Sequence, residues 1–191
     1  IEWYPTKKLS MMGLRALLDR MILLDKKPDI MFLDYADLMS VGKSSQKRKD
    51  EELQELYEEL RGTGGEYQIP IWTASQANRS SHDEGVEYVS AGMISESMGK
   101  HFTADFMMSI LRREREKNTN TAIFHIIKNR LGEDGVTLLS HMDTGHGIID
   151  IFKPNGTKHK EIENLMIEDE TNVKKKLTSR RDAFFKEGEA E

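Results

Sequence analysis

The sequence predicts an α/β fold: a central, mostly parallel sheet, with antiparallel strands toward the C-terminal end. Three observations carry this reading. Short apolar runs suited to strands alternate with stretches of helical periodicity from Leu9 to Leu111. The first two of these runs end abruptly in polar residues, Asp34 and Ser75-Gln76. The last three runs follow one another with glycine-bearing turns and no helix between them, as in a meander.

Leu9 to Leu24 reads as an amphipathic helix, with Leu14, Leu17, Leu18, Met21 and Ile22 at helical spacing and Lys26-Lys27-Pro28 ending it. Ile30-Met31-Phe32-Leu33 runs straight into Asp34-Tyr35, the pattern of a strand buried on both faces. Ser40 to Asp50, rich in Ser, Lys and Arg, reads as a loop. Glu51 to Arg61 places Leu53, Leu56, Tyr57 and Leu60 on one helical face, and Gly62, Gly64 and Gly65 are expected to terminate it. Ile69 to Ala74 is the second strand, and a polar loop follows from Ser80 to Gly92. A short helix is expected over Ile94 to His101, a strand over Ala104 to Leu111, and a charged excursion over Arg112 to Asn120. Ala122–Lys128, Val136–His141 and Ile148–Phe152 complete the strands.

From Lys153 to Glu191 the composition changes to mixed charge with few apolar residues. That predicts a flexible tail, because so little apolar surface cannot offset the entropy of ordering. Leu165-Met166-Ile167 and Phe184-Phe185 are its candidate anchors for a partner. The division expected is therefore 1–152 and 153–191.

The 191 residues, 37% hydrophobic and 32% charged, suit one domain with a tail. A formal net charge of −5 offers no global attraction to nucleic acid, so any such contact must come from local basic loops. With no cysteine, disulfides and thiolate metal sites are excluded. No long apolar run or signal peptide is present, which points away from a membrane and to the cytoplasm. The histidines lack metal-ligand spacing; His125, inside a strand, reads as a core residue. The 11 methionines read as adaptable core filler.

Parallel neighbours would bring Asp34 and Gln76 to one sheet edge, where open α/β sheets bind ligands. Asp34 is a hard oxygen ligand suited to Mg2+, and Gln76 can sense a phosphate or orient water without adding negative charge. Each also has a plainer reading, as a turn aspartate and a surface amide. Lys128 and Arg130 flank Asn129, so on a strand their side chains project the same way and could reach one phosphate; an ordinary basic turn is the alternative. Lys43, Lys47, Arg48 and Lys49 form a basic loop, and Arg79 and Lys100 bracket a second candidate segment for DNA phosphates. A solvated charged face is the competing reading of such a run.

Taken together, the motifs resemble a family. Phe32–Met39, FLDYADLM, looks like the Walker B motif of replicative hexameric helicases of the DnaB type. SQANRS at Ser75–Ser80 is similar to that family's Ser-Gln-x-Asn-Arg motif, SESMGKHFTAD at Ser95–Asp105 resembles the segment that follows, and KNRLGEDG at Lys128–Gly135 resembles its Lys-x-Arg hairpin. Tyr4-Pro5-Thr6 and Lys27-Pro28-Asp29 look most like the T-even-like bacteriophage branch. The resemblance covers residues 1 to 152 and implies the C-terminal part of a RecA-like P-loop NTPase core.

No Gly-x-x-x-x-Gly-Lys-Ser/Thr phosphate loop occurs in the sequence, and Gly42-Lys43-Ser44 copies only its last letters, since position 37 is Asp37. With Ile1 in place of Met, a fragment is the expectation, the phosphate loop lying upstream. The resemblance implies hydrolysis of ATP or another NTP with Mg2+ at Asp34, aided by Gln76. It implies that Lys128 and Arg130 enter a neighbouring subunit's nucleotide site in trans. It also implies a homo-oligomeric, hexameric ring that moves on single-stranded DNA and unwinds duplex in replication, in the host cytoplasm if phage-encoded. Primase and a helicase loader are the candidate partners it brings. Asp105 is expected to have a structural role or to border the DNA-facing loop, and not to be catalytic. A RecA-like recombinase or related ATPase, and a non-catalytic DNA-binding or assembly module, are the alternatives.

Overall fold

The computed structural model describes residues 1–41, 48–78, 86–94 and 98–188. These form two compact units. One comprises 1–83, 90–107 and 128–132; the other comprises 84–89, 108–127 and 133–191. This cut differs from the expected one at 152, because the meander and the C-terminal segment share a unit.

In the first unit, α1 (Met11–Leu23) begins at Ser10, whose hydroxyl accepts from Gly13 N–H at 3.2 Å. It buries Leu14 and Leu18 and leaves Ile22 exposed. β1 (Met31–Leu33) and β2 (Ile71–Thr73) pair in parallel, with Met31, Phe32 and Leu33 opposite Ile71, Trp72 and Thr73. Between them lies α2 (Lys49–Tyr67), the crossover that parallel neighbours require. Its stripe of Leu53, Leu56 and Leu60 packs with Leu14, Ala36 and Met39, and half-buried Met31, Leu33 and Ile71 close the cluster.

Two expectations fail here. α2 does not stop at its glycines but runs through them to Tyr67, ending at Gln68 in the left-handed conformation. Glycine in a helix costs about 1 kcal/mol relative to alanine. The final turn is held by Thr63, fully buried on the leucine face, by the Tyr67 hydroxyl donating to Asp19 at 2.7 Å, and by an Arg15–Glu66 ion pair. Gly64 also has a steric reason, since a Cβ there would lie 3.0 Å from the Ile69 carbonyl. The second failure is burial. β1 is covered on one face only: Phe32 and Trp72 are exposed, with Phe106 at 5.7 Å from Trp72.

A short helix, α3 (Met98–Thr103), extends two residues past the expected end at His101 and packs on α2. Gly99 permits the approach: a Cβ there would fall 2.8 Å from the Gln54 side chain.

β3 (Phe106–Leu111), β4 (Thr121–Asn129), β5 (Thr137–Asp143) and β6 (Ile148–Ile151) form a four-stranded sheet in that order. The pairs β4–β5 and β5–β6 are antiparallel, as the meander predicts. In the second unit Ala122, Phe124 and Met142 pack together with Met108 and Leu138. His125 is buried there, stacked on Tyr88 at 3.8 Å with Nδ1 2.9 Å from Thr137 Oγ1; burial lowers its pKa. The charged excursion contains α4 (Glu114–Asn118). Its buried Glu116 accepts from Arg113 N–H and pairs with Arg115 at 2.7 Å.

The segment expected to be an irregular tail forms α5, Thr157–Gly188. Ile162 and Met166, four residues apart, are buried, and α5 packs on β5 and α4 with an Arg115–Glu170 ion pair. Of the anchors read from sequence, Met166 is buried while Leu165 and Ile167 are exposed; the side chains of Phe184 and Phe185 lie outside the described ones. Among the described residues no helix is long and apolar enough to cross a membrane.

Candidate functional site

Parallel register places the ends of β1 and β2 side by side, Leu33 opposite Thr73. Asp34 follows the first strand, exposed, and its carboxylate makes no hydrogen bond or ion pair among the described residues. Gln76, three residues past the second strand, is also exposed and donates from Nε2 to the Tyr35 hydroxyl at 3.2 Å. The two residues expected to converge thus stand on adjacent strand ends, linked through Asp34's neighbour. One exposed carboxylate, unpaired among the described residues, suits Mg2+, which keeps most of its shell as water and phosphate oxygens. No group of three or more His, Cys, Asp or Glu able to cage a metal occurs among the described residues.

Behind this edge lies a polar cluster that sequence reading does not anticipate. The Asp37 carboxylate accepts from the Tyr57 hydroxyl at 2.8 Å on one oxygen. On the other it accepts from Lys100 Nζ at 2.8 Å and Ser75 Oγ at 3.1 Å. Lys100 also donates to Ser75 Oγ at 2.8 Å and sits 5.3 Å from the centre of the Tyr57 ring. Burial, and then the adjacent Asp37 charge, push the Tyr57 phenol far above its ordinary value. It remains a neutral donor throughout the physiological range.

Lys128, near the end of β4, and Arg130, one residue past it, both meet the C-terminal end of α3. Lys128 Nζ donates to the His101 and Phe102 carbonyls at 2.6 and 3.0 Å, and Arg130 donates to the Phe102 carbonyl at 2.9 Å. Cations at a helix C-terminus satisfy its unpaired carbonyls. Burial and then the Arg130 charge lower the Lys128 pKa. Asp105 has the structural place expected of it, accepting from Arg61 at 2.8 Å and pairing with Arg130 at 3.0 Å.

The residues read as DNA contacts fare differently. Lys43, Lys47 and Arg79 lie outside the described residues. Arg48 and Lys49 are exposed at the start of α2, Arg48 pairing with Asp50 at 2.7 Å and Glu51 at 3.5 Å. Lys100 does not fit the expectation. Only 1% of it is exposed, and its ammonium faces Asp37 and Ser75 instead of solvent.

The sequence model of the DnaB-like helicase C-terminal domain matches residues 4–146. The chain belongs to that family. It is 30% identical over 141 residues to the DnaB-like replicative helicase of Enterobacteria phage T4, a match covering 70% of this chain and 28% of that protein. The chain therefore spans little more than a quarter of this relative's length. Among solved structures, one ATPase domain superposes with a TM-score of 0.65 at 17% identity, over 76% of this chain and 52% of that one. A DnaB-like replicative helicase described with its interactions with primase gives a TM-score of 0.65 at 16% identity, over 76% and 36%. At these identities the two structures speak to the fold, the RecA-like ATPase fold.

Within this DnaB-like domain, the Asp37–Tyr57–Ser75–Lys100 cluster left a faint trace in the sequence. Tyr57 sits on the leucine face of α2, where a phenol needs a partner, and Asp37 lies in the apolar stretch Tyr35–Met39. Lys100 left none, because a lysine in a polar segment reads as solvent-exposed by default.

Proposed function

We propose that this chain is the portion of a replicative helicase motor that completes a nucleotide site with its strand ends. The observation that supports the proposal is the parallel β1–β2 register, with Asp34, unpaired among the described residues, at the end of one strand and Gln76 three residues past the end of the other. Asp34 would hold Mg2+ on the phosphates of ATP or another NTP, and the ion would supply charge neutralisation for phosphoryl transfer. Gln76, anchored on Tyr35, would orient the attacking water or report on the γ-phosphate. Lys128 and Arg130 would serve a neighbouring subunit's nucleotide in a ring of identical chains. Their surface contacts with α3 and Asp105 would be a resting position from which both can reach outward. Arg48 and Lys49, with Lys43, Lys47 and Arg79, would follow the phosphates of single-stranded DNA without reading sequence. The phosphate loop, which this sequence lacks, would come from elsewhere in the same polypeptide. Primase and a loader are the proteins such a motor would meet.

Asp34→Asn tests this in the helicase polypeptide that carries both the segment and a phosphate loop. It removes a metal ligand but no packing contact, so NTP hydrolysis should be lost while ring assembly, followed by light scattering, persists. Near-normal turnover would move the metal site elsewhere.

A further inference from the structure

The largest fully buried side chain among the described residues is a lysine, Lys100. An ammonium is tolerated inside a protein only when its charge and its donors are met. Among the described residues, partners from two different loops meet them. Asp37 lies in the turn that follows Asp34, and Ser75 immediately precedes Gln76. Lys100 Nζ is 2.8 Å from each, and Asp37 and Ser75 also touch at 3.1 Å. Nearer the strands the same loops are joined by Ala36 N–H donating to Thr73 Oγ1 at 2.9 Å. Apolar residues in place of both charges could fill the space at no loss of stability, and often at a gain. What the charged triad adds is a fixed geometry between the two loops.

We propose that Lys100 is a positioning residue: through Asp37 and Ser75 it fixes the separation of the Asp34 turn and the Gln76 strand end, and so sets the rate of NTP hydrolysis without touching the nucleotide. This rests on the assignment of Asp34 and Gln76 made above. The same short helix is gripped at its far end, where the His101 and Phe102 carbonyls accept from Lys128 and Arg130. The residue that holds the strand ends is therefore carried by the element that seats Lys128 and Arg130.

The test uses the intact helicase and four variants. Lys100→Met alone leaves the half-buried Asp37 without its counter-ion and should lower the melting temperature. Asp37→Asn/Lys100→Met removes both charges and should recover the melting temperature. Its kcat should stay about 10- to 100-fold below wild type, the loss expected of slightly misplaced reacting groups, with KM for the nucleotide nearly unchanged. Ser75→Ala keeps both charges and removes only the hydroxyl that links them, and it should lower kcat without moving KM. A folded double variant with wild-type kcat, or one whose loss lies in KM alone, overturns the proposal. If the double variant fails to fold, wild-type kcat in Ser75→Ala overturns it. Asp34→Asn is the control. If it retains turnover, the nucleotide-site reading itself fails; if it is inactive while the double variant turns over normally, only the role of Lys100 fails.

Discussion

Arg130→Ala and Asp105→Asn should have very different consequences, although the two residues form an ion pair. Arg130 is 39% exposed and Asp105 57%, and Arg61 offers Asp105 a second guanidinium at 2.8 Å. An exposed pair of this kind contributes about 0.2–1 kcal/mol. One kilocalorie corresponds to roughly a fivefold change in the population of released Arg130. Asp105→Asn should therefore alter turnover in the assembled helicase by about fivefold at most, in either direction. Loss of an arginine that stabilises the transition state in a neighbour's site should instead cost on the order of 10³ in kcat. The assay is steady-state phosphate release from rings of each variant. It is followed by mixing Arg130→Ala subunits with Asp34→Asn subunits, so that some interfaces pair an intact Asp34 with an intact Arg130. Recovery of activity that neither variant has alone is the expected result. Equal losses in Arg130→Ala and Asp105→Asn would refute the reasoning, because the pair would then matter as a structural unit and not as a parked cation. Mixed rings that form but recover nothing, while Arg130→Ala mixed with wild type falls in proportion to the wild-type fraction, would place Arg130 in its own subunit's chemistry.

Two further outcomes concern the second unit. Met166→Ala should destabilise it by about 2–5 kcal/mol, the range for truncating a buried methionine, and should raise amide exchange along α5; unchanged melting would mean that the helix is not docked there. His125 is held neutral by burial, so its folded pKa lies below the ordinary value near 6.5. The stability it contributes is complete above that value and is lost as pH falls below it toward the folded pKa, because the unfolded chain binds the proton first. Melting temperatures of wild type should decline through this window more steeply than those of His125→Phe, and parallel curves would show that His125 does not drive the decline.

The elements legible in the sequence were those whose pattern is local. The leucine stripe of α2, the three meander strands and the polar endings of β1 and β2 need only periodicity and a change from apolar to polar, and each lies within a few residues of its expected place. The errors came where distant residues outvoted local preference. Glycines that end an isolated helix are carried through in α2 by the burial of Thr63 and by Tyr67 and Glu66, whose partners Asp19 and Arg15 lie in α1. In α5 the polar composition concealed Ile162 and Met166, and two apolar residues one turn apart are enough to seat a helix whose other faces are charged. Asp34 and Gln76 were recognisable because strand ends announce themselves. Lys100 was not, because its role depends on which loops α3 meets.

Trp72 stands between Phe32, its cross-strand neighbour, and Phe106 on a sheet face that water wets, with Trp72 itself 47% exposed. An indole in that setting emits at long wavelength, and whatever comes to lie over the face must first strip the water from it. The sequence holds only one other tryptophan, Trp3, which is 80% exposed. In the 191-residue chain with Trp3 replaced by phenylalanine, the colour of Trp72 emission becomes a single-site gauge of when that face is covered, without any added label.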